Sequence, residues 1–277
     1  MAEASEFLDQ AVLISGAGRG IGKRLALAFA AEGARIGLLA RSRAELDLAQ
    51  LEISHMGGQA LALLCDVRDY AQVEAALERF RAFAGPVRIL ICAHGAFGWI
   101  GPLAACEPQA WMDGIATNLG GAMHLCRAVL PDMLEARAGK IVLLAGPGAA
   151  SPRRNFSSYS AAQAALARLA ETLAEEVREA NIQVNCMNPG PTYTSMTDDI
   201  IAAGERAGAE ELEAALRLQS SGGATPEEQI ELARFLCSPR SNHLSGMLIS
   251  VSDKWRKLEH SRSQGAMFTL RRILHSS

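Results

Sequence analysis

Short apolar runs alternate with longer stretches of helical period along most of the 277-residue chain. AVLIS (11–15), RIGLLA (35–40), ALALLC (60–65), VRILICA (87–93), KIVLLA (140–145), IQVNCMN (182–188) and MLISV (247–251) read as strands. They are almost continuously hydrophobic, as strands covered on both faces of a parallel sheet are. Helical patterns fill the intervals. One runs from Gly20 to just before Gly33, a glycine suited to end a helix. Another follows Asp69, an N-cap residue type, with Val73, Leu77 and Phe80 on one face. A third starts near Ser157 and carries the stripe Leu166, Leu169, Leu173 and Val177. Parallel neighbours require helical crossovers, so about seven strands in this order predict a doubly wound α/β sheet in a single domain, residues 1–251. The stretch 196–224 breaks the alternation: it is loosely helical and acidic, and is expected to form a mobile cap over the carboxyl edge of the sheet. Residues 252–277 form a tail.

The first predicted strand runs into SGAGRGIG, residues 15–22. Glycines at 16, 20 and 22 let the backbone turn tightly, approach a pyrophosphate and pack the next helix on the sheet. The free N–H groups and positive end of that helix then face the phosphates. A glycine pattern set between a strand and a helix points to a Rossmann-type dinucleotide site. NAD sites commonly place an acid at the end of the second strand to hold the ribose 2′-hydroxyl. Here Ala40 stands there and Arg41 follows, with Arg19 inside the turn. Two cations without an opposing acid favour NADP(H) over NAD(H), the alternative being that Arg41 merely opens a surface helix.

SGAGRGIG, CDV (65–67), TNLGG (117–121), Tyr159 and NPGPTYT (188–194) together resemble the short-chain dehydrogenase/reductase family, in order and at family-like spacing over residues 8–251. The resemblance implies that Ser15, Gly16, Arg19, Gly20, Ile21, Gly22 and Arg41 serve the adenosine and phosphate end of the cofactor. It implies that Asp66 and Val67 border the adenine and that Ala93 lies beside a ribose. Pro189, Gly190, Thr192 and Thr194 would hold the nicotinamide end. Tyr159 and Asn118 would be catalytic, Asn118 from a bent helix that supports a proton relay, and Gln163 would contact the cofactor ribose. A small-molecule substrate and a homodimer or homotetramer are implied as well.

The departures from the family pattern bear on chemistry. Its asparagine pair after the fourth strand is replaced in Cys92-Ala93-His94-Gly95. Its serine position, 13 residues before the tyrosine, holds Gly146, and its lysine position, four residues after, holds Gln163. A free tyrosine titrates near 10, so ionising half of it at pH 7 requires roughly 4 kcal/mol of stabilisation. A neutral amide can make the ribose hydrogen bond but cannot supply that field. Reduction needs a protonated phenol and oxidation needs the phenolate, so surviving catalysis would be biased toward NADPH-dependent reduction. Two readings stay open: an oxidoreductase with an altered catalytic set, or a cofactor-binding protein without turnover, a sensor or a non-catalytic subunit. A different reaction run by Tyr159 on the same scaffold is a third.

Other residues have paired readings. Ser157 and Ser158 either cap a helix or replace the missing hydroxyl. His94 either donates a proton and supplies positive charge, or is a hydrogen-bonded structural residue. His124 is expected to be a satisfied interior or interface residue. Arg153 and Arg154 either meet an acidic substrate or form a solvated loop pair. Phe97, Trp99, Phe156, Tyr193 and Met196, placed by the resemblance around the substrate opening, would suit a hydrophobic carbonyl compound or acyl chain.

Composition narrows the setting. With 49% hydrophobic and 21% charged residues and a net charge of −3, the chain suits one large core and no polyanion partner such as nucleic acid. Six cysteines lack zinc spacing or a C-x-x-C pair, so no metal site is expected and reduced core thiols are. No apolar run reaches membrane-spanning length and the N-terminus has no leader character, which points to a soluble cytoplasmic protein. The tail holds six Lys/Arg against two acids, together with Trp255, Met267, Phe268, Leu270, Ile273 and Leu274, and is expected to cross a subunit interface or cover a neighbour's site.

Overall fold

A computed structural model of the chain describes residues 5–260. Seven parallel strands form one sheet: β1 (Ala11–Ser15), β2 (Arg35–Ala40), β3 (Gln59–Leu64), β4 (Ile89–Cys92), β5 (Gly139–Leu144), β6 (Ile182–Asn188) and β7 (Leu248–Ser250), in the order β3-β2-β1-β4-β5-β6-β7. The order reverses between β1 and β4, which leaves a cleft at their carboxyl ends, the place where open α/β sheets bind ligands. Each predicted strand is present: β1, β2 and β6 have the predicted bounds, β3 and β5 start and end one residue earlier, and β4 and β7 are shorter than the apolar runs that announced them.

Period-two alternation sends the strand side chains to two cores. Leu13, Leu39 and Leu90 face α3 (Tyr70–Ala84), α5 (Gly121–Ala136) and α6 (Ser157–Glu176), where Phe80, Leu125 and Leu166 meet them. Val12, Ile14 and Leu38 face α1 (Gly20–Ala31), α2 (Arg43–His55) and α9 (Pro226–Cys237), against Phe29, Ile53 and Phe235. α4 (Pro108–Ile115) leads through one π-helical turn, Ala116–Gly120, into α5. The Asp69 carboxylate caps α3 by accepting from Ala71 and Gln72 N–H, as expected.

The stretch after β6 is more ordered in pattern than its sequence suggested. It holds α7 (Ser195–Ala203), a short 3-10 turn and α8 (Ala209–Ser221), and Thr192 bridges Gly223 at its base. Ile200, Ala203, Ala207 and Ala215 of this cap bury themselves on Phe97, Ile100, Phe156 and Tyr159, a third apolar cluster at the carboxyl edge. Trp255 of the tail packs on Phe235 of its own domain, ring centroids 5.3 Å apart. Met267, Phe268, Leu270, Ile273 and Leu274, on which the interface expectation rested, lie outside the described residues. No described helix is long and apolar enough to cross a membrane.

Candidate active site

Two features bring the β1–α1 turn against the sheet. Gly16 and Gly20 adopt φ of +67° and +58°, which side chains resist. A Cβ on Gly22 would stand 2.2 Å from the Gly16 carbonyl oxygen, so only glycine lets α1 start this close to β1. The first N–H groups of α1 therefore open into a cleft, with no helical partner of their own. That cleft is a cavity of about 470 Å³ lined by the glycine turn and by residues at the ends of β2, β3 and β4. The glycine cradle, the helix end and the cavity fit a dinucleotide.

Of the residues expected to serve the cofactor, Gly16, Arg19, Gly20, Ile21, Gly22, Arg41, Asp66, Val67, Ala93 and Thr194 line this cavity. Ser15 is fully buried behind it, and its hydroxyl is joined to His94 Nδ1 at 2.6 Å. Pro189, Gly190 and Thr192 sit outside the wall, as do Tyr159 and Gln163. The loop 189–192 is instead held from below by Gln229 of α9, a fully buried side chain. Its Nε2 donates to the Pro189 carbonyl at 2.9 Å and to Thr192 Oγ1 at 2.5 Å, while its Oε1 accepts from Arg24. Gln229 was missed by sequence reasoning; a glutamine among IELARFL offers no signal beyond its polarity at a core-facing position.

The expectation of two unopposed cations is corrected. Arg19 Nη1 lies 3.2 Å from Glu45 Oε1, and Glu45, in the first turn of α2, itself lines the cavity. Arg41 is exposed at the cavity rim and makes no ion pair among the described residues. Asp66 is chelated by Arg68, with contacts of 2.6 to 3.0 Å that hold its carboxyl below the ordinary range.

His94 is not the cation that the sequence left open. Burial pushes its pKa down to about 4, so it is neutral at pH 7. Its Nε2 is buried beside Gly121 and the Thr117 carbonyl without a hydrogen bond of ordinary geometry. The role it shows is structural, linking β1 to the loop after β4. His124 is satisfied as expected, its Nδ1 lying 2.8 Å from the Val67 carbonyl.

Asn118 sits in the π-helical turn and is 1% exposed. Its Nδ2 donates to the carbonyls of Ala96 and Gly114, both at 2.7 Å, and its Oδ1 accepts from Ala96 N–H at 3.1 Å. The side chain is thus committed to tying the bent helix to the loop after β4. The bend implied by the resemblance is present; the side chain itself has no donor left for substrate.

Tyr159 and the two departures around it form one arrangement. A Cβ on Gly146 would lie 2.3 Å from the Tyr159 hydroxyl oxygen, so the phenol occupies space that a side chain at 146 would need. Gln163 is buried, and its Oε1 accepts from Gly146 N–H at 2.9 Å. With Oε1 committed, only Nε2 is left to donate. Tyr159 is 7% exposed and forms no hydrogen bond through its hydroxyl among the described residues; burial pushes its pKa up to about 12. Its ring meets Phe97 edge-on, with centroids 5.0 Å apart.

Ser157 and Ser158 do not cap α6, whose N-cap residue Phe156 makes no side-chain cap. They clasp α4 instead: Trp111 Nε1 donates to Ser157 Oγ at 3.0 Å, and Ser158 Oγ donates to the Trp111 carbonyl at 2.6 Å. Arg153 is not half of a solvated pair. It forms a two-pronged ion pair with Glu211 of α8, while Arg154 alone is exposed. Phe156 is fully buried rather than at the opening, and Tyr193 is exposed with its hydroxyl on Asp198. Phe97 and Trp99 do line a second cavity of about 470 Å³ under the cap, which shares Ala96 and Asp199 with the first.

Known proteins share this architecture. The sequence profile of short chain dehydrogenases matches residues 10–204. Oxidoreductase UcpA of Salmonella typhimurium is 32% identical over 91% of this chain and 96% of its own. The 3-oxoacyl-[acyl-carrier-protein] reductase FabG of Escherichia coli is 32% identical over 89% of this chain and 97% of its own. A gluconate 5-dehydrogenase from Burkholderia cenocepacia, solved in complex with NADP and tartrate, superposes with a TM-score of 0.79 at 27% identity, covering 90% of this chain and 96% of that one. With the sheet order, the glycine turn and a profile match over more than half its length, the chain belongs to the short chain dehydrogenase family of oxidoreductases.

Proposed function

We propose that the protein is an NADP(H)-dependent reductase of a hydrophobic carbonyl compound, with Tyr159 as the proton donor and little capacity for the reverse oxidation. The observation that carries this reading is the burial of Tyr159 beside a neutral Gln163, which holds the phenol protonated far above pH 7. A bound nicotinamide supplies the hydride. The glycine turn and the α1 N-terminus would seat its phosphates, Arg41 would meet a 2′-phosphate at the open rim, and Gln163 Nε2 would stand where the family places its lysine. Phe97 and Met196 line the walls through which an apolar substrate would approach. Assembly as a homodimer or homotetramer in the cytoplasm belongs to the same proposal.

The second reading, a cofactor-binding protein without turnover, is favoured by one feature: the Tyr159 hydroxyl rests against Gly146, and Tyr159 is not among the residues that line the cavity. Rates in the two directions separate the readings. A phenol with its pKa near 12 is almost wholly protonated at pH 7, so reduction should be flat in pH through the neutral range. The phenolate fraction rises about tenfold for each pH unit below that pKa, so oxidation should climb steeply above pH 8. A survey of NADPH oxidation with aryl and alkyl ketones and NADP⁺ reduction with the matching alcohols tests this. Equal rates in both directions at pH 7 would overturn the directional claim, and no turnover in either would favour the second reading.

A further inference from the structure

Arg153 joins three parts of the molecule that the reaction would need to coordinate. It lies in the loop between β5 and α6, and its Nε and Nη2 donate to the two carboxylate oxygens of Glu211 on α8, each at 2.7 Å. Its side chain is 13% exposed. The guanidinium carbon stands 4.1 Å from the ring centre of Phe156, 5.3 Å from Phe97 and 5.8 Å from Tyr159. An anchor for the cap would need only the carboxylate pair. This guanidinium is also laid over the aromatic cluster that contains the proposed acid.

A cation over an aromatic ring is attracted weakly to a phenol and much more strongly to a phenolate, because the second interaction is between net charges. Low solvent exposure keeps that field from being screened. We propose that Arg153 is the cation that acts on Tyr159 in this protein, from its place over the aromatic cluster, and that Glu211 sets how much of its charge the tyrosine feels. Paired with Glu211, the arginine is largely neutralised and the phenol stays protonated. Glu211 belongs to the cap and Arg153 to the sheet edge, so displacement of α8 by an entering substrate lengthens the pair and strengthens the field at Tyr159. Arg153 is then a positioning residue for charge, and cap position and acid strength are linked. The inference rests on Tyr159 being the acid.

The other charged or titratable groups near the cluster do not substitute for it. Asp113 on α4, and Asp199 and Arg206 on the cap, line the neighbouring cavity around Phe97 and Trp99, and His94 behind Ala96 is neutral. The charge that bears on Tyr159 is that of Arg153.

The test is a pH titration of protein labelled with ¹³C at the tyrosine ring carbon that bears the hydroxyl. The chain has three tyrosines, and Tyr159→Phe assigns the signal. Glu211→Gln, which keeps the size of the side chain, should bring ionisation of Tyr159 on earlier by about 1 pH unit. Adding Arg153→Gln should return it to the wild-type value or higher, whereas adding Arg153→Lys should keep most of the shift. Titration of Glu211→Gln like the wild type, or a shift that survives loss of Arg153, overturns the proposal. Arg153→Gln against Arg153→Lys in the otherwise native chain gives an independent comparison if Glu211→Gln does not fold: the glutamine delays ionisation and the lysine does not, and identical titrations contradict the assignment. No substrate or cofactor enters the measurement. A negative result therefore removes Arg153 without touching the reductase reading, and absence of turnover leaves the titration unaffected.

Discussion

Replacing Tyr159 with phenylalanine is expected to lower carbonyl reduction by a factor of about 10² to 10⁴, the ordinary worth of a positioned general acid. The fold and the affinity for cofactor should stay unchanged. The hydroxyl forms no hydrogen bond among the described residues and rests against the backbone of Gly146, so its removal leaves no partner unsatisfied. The ring contact with Phe97 is kept. Tyr159 also lies outside the wall of the cavity that would take the cofactor. Steady-state reduction and NADPH titration on the same preparation check this. Retained reduction with the phenylalanine variant would show that the tyrosine only packs and that the proton comes from elsewhere.

The second large effect concerns the pair Gly146 and Gln163, which the structure shows to be coupled. Gln163→Lys removes the acceptor of a partly buried Gly146 N–H and buries a cation, a cost of up to about 1–3 kcal/mol for the orphaned donor alone. In return the ammonium favours the phenolate of Tyr159. Gly146 has an ordinary backbone conformation, so a serine there is opposed only by the tyrosine hydroxyl, the far end of a side chain that must swing off the glycine. The double variant Gly146→Ser with Gln163→Lys should therefore be less heat-stable than the native protein. Its alcohol oxidation at pH 8 should rise by at least about tenfold, equivalent to ~1.4 kcal/mol of barrier. Thermal melts and initial rates of oxidation test both halves. A fall in oxidation despite a folded protein would mean that the hydride geometry of the family is not preserved here.

How much of this was legible beforehand depends on the range of the interaction. The strands announced themselves because a sheet covered on both faces leaves no polar register: Val12, Leu13 and Ile14 all had to be apolar although they serve two different cores. The glycine turn was legible because Gly16 and Gly22 answer to a local backbone constraint. Side-chain partnerships across elements were not. Arg19 and Arg41 looked alike in sequence, yet Glu45 reaches back from α2 to pair with one and not the other. Ser157 and Ser158 had the composition of a helix cap, and tertiary contact with Trp111 took their hydroxyls. Arg153 and Glu211 are far apart in sequence and carry no mutual periodicity, so the ion pair between sheet edge and cap was invisible. The absence of a serine and a lysine was plain in the sequence. What could not be read was that Gly146, Tyr159 and Gln163 close on one another to fill the space.

The reductase reading requires that this family member keep a working cofactor site, with preference for the phosphorylated dinucleotide. Calorimetric titration of the purified protein with NADPH and, separately, with NADH checks this requirement. NADPH is expected to bind at least about tenfold more tightly, a difference of ~1.4 kcal/mol, and Arg41→Ala is expected to erase the difference. Equal or tighter binding of NADH would contradict the role given to Arg41, and failure of both to bind would contradict the reductase reading itself.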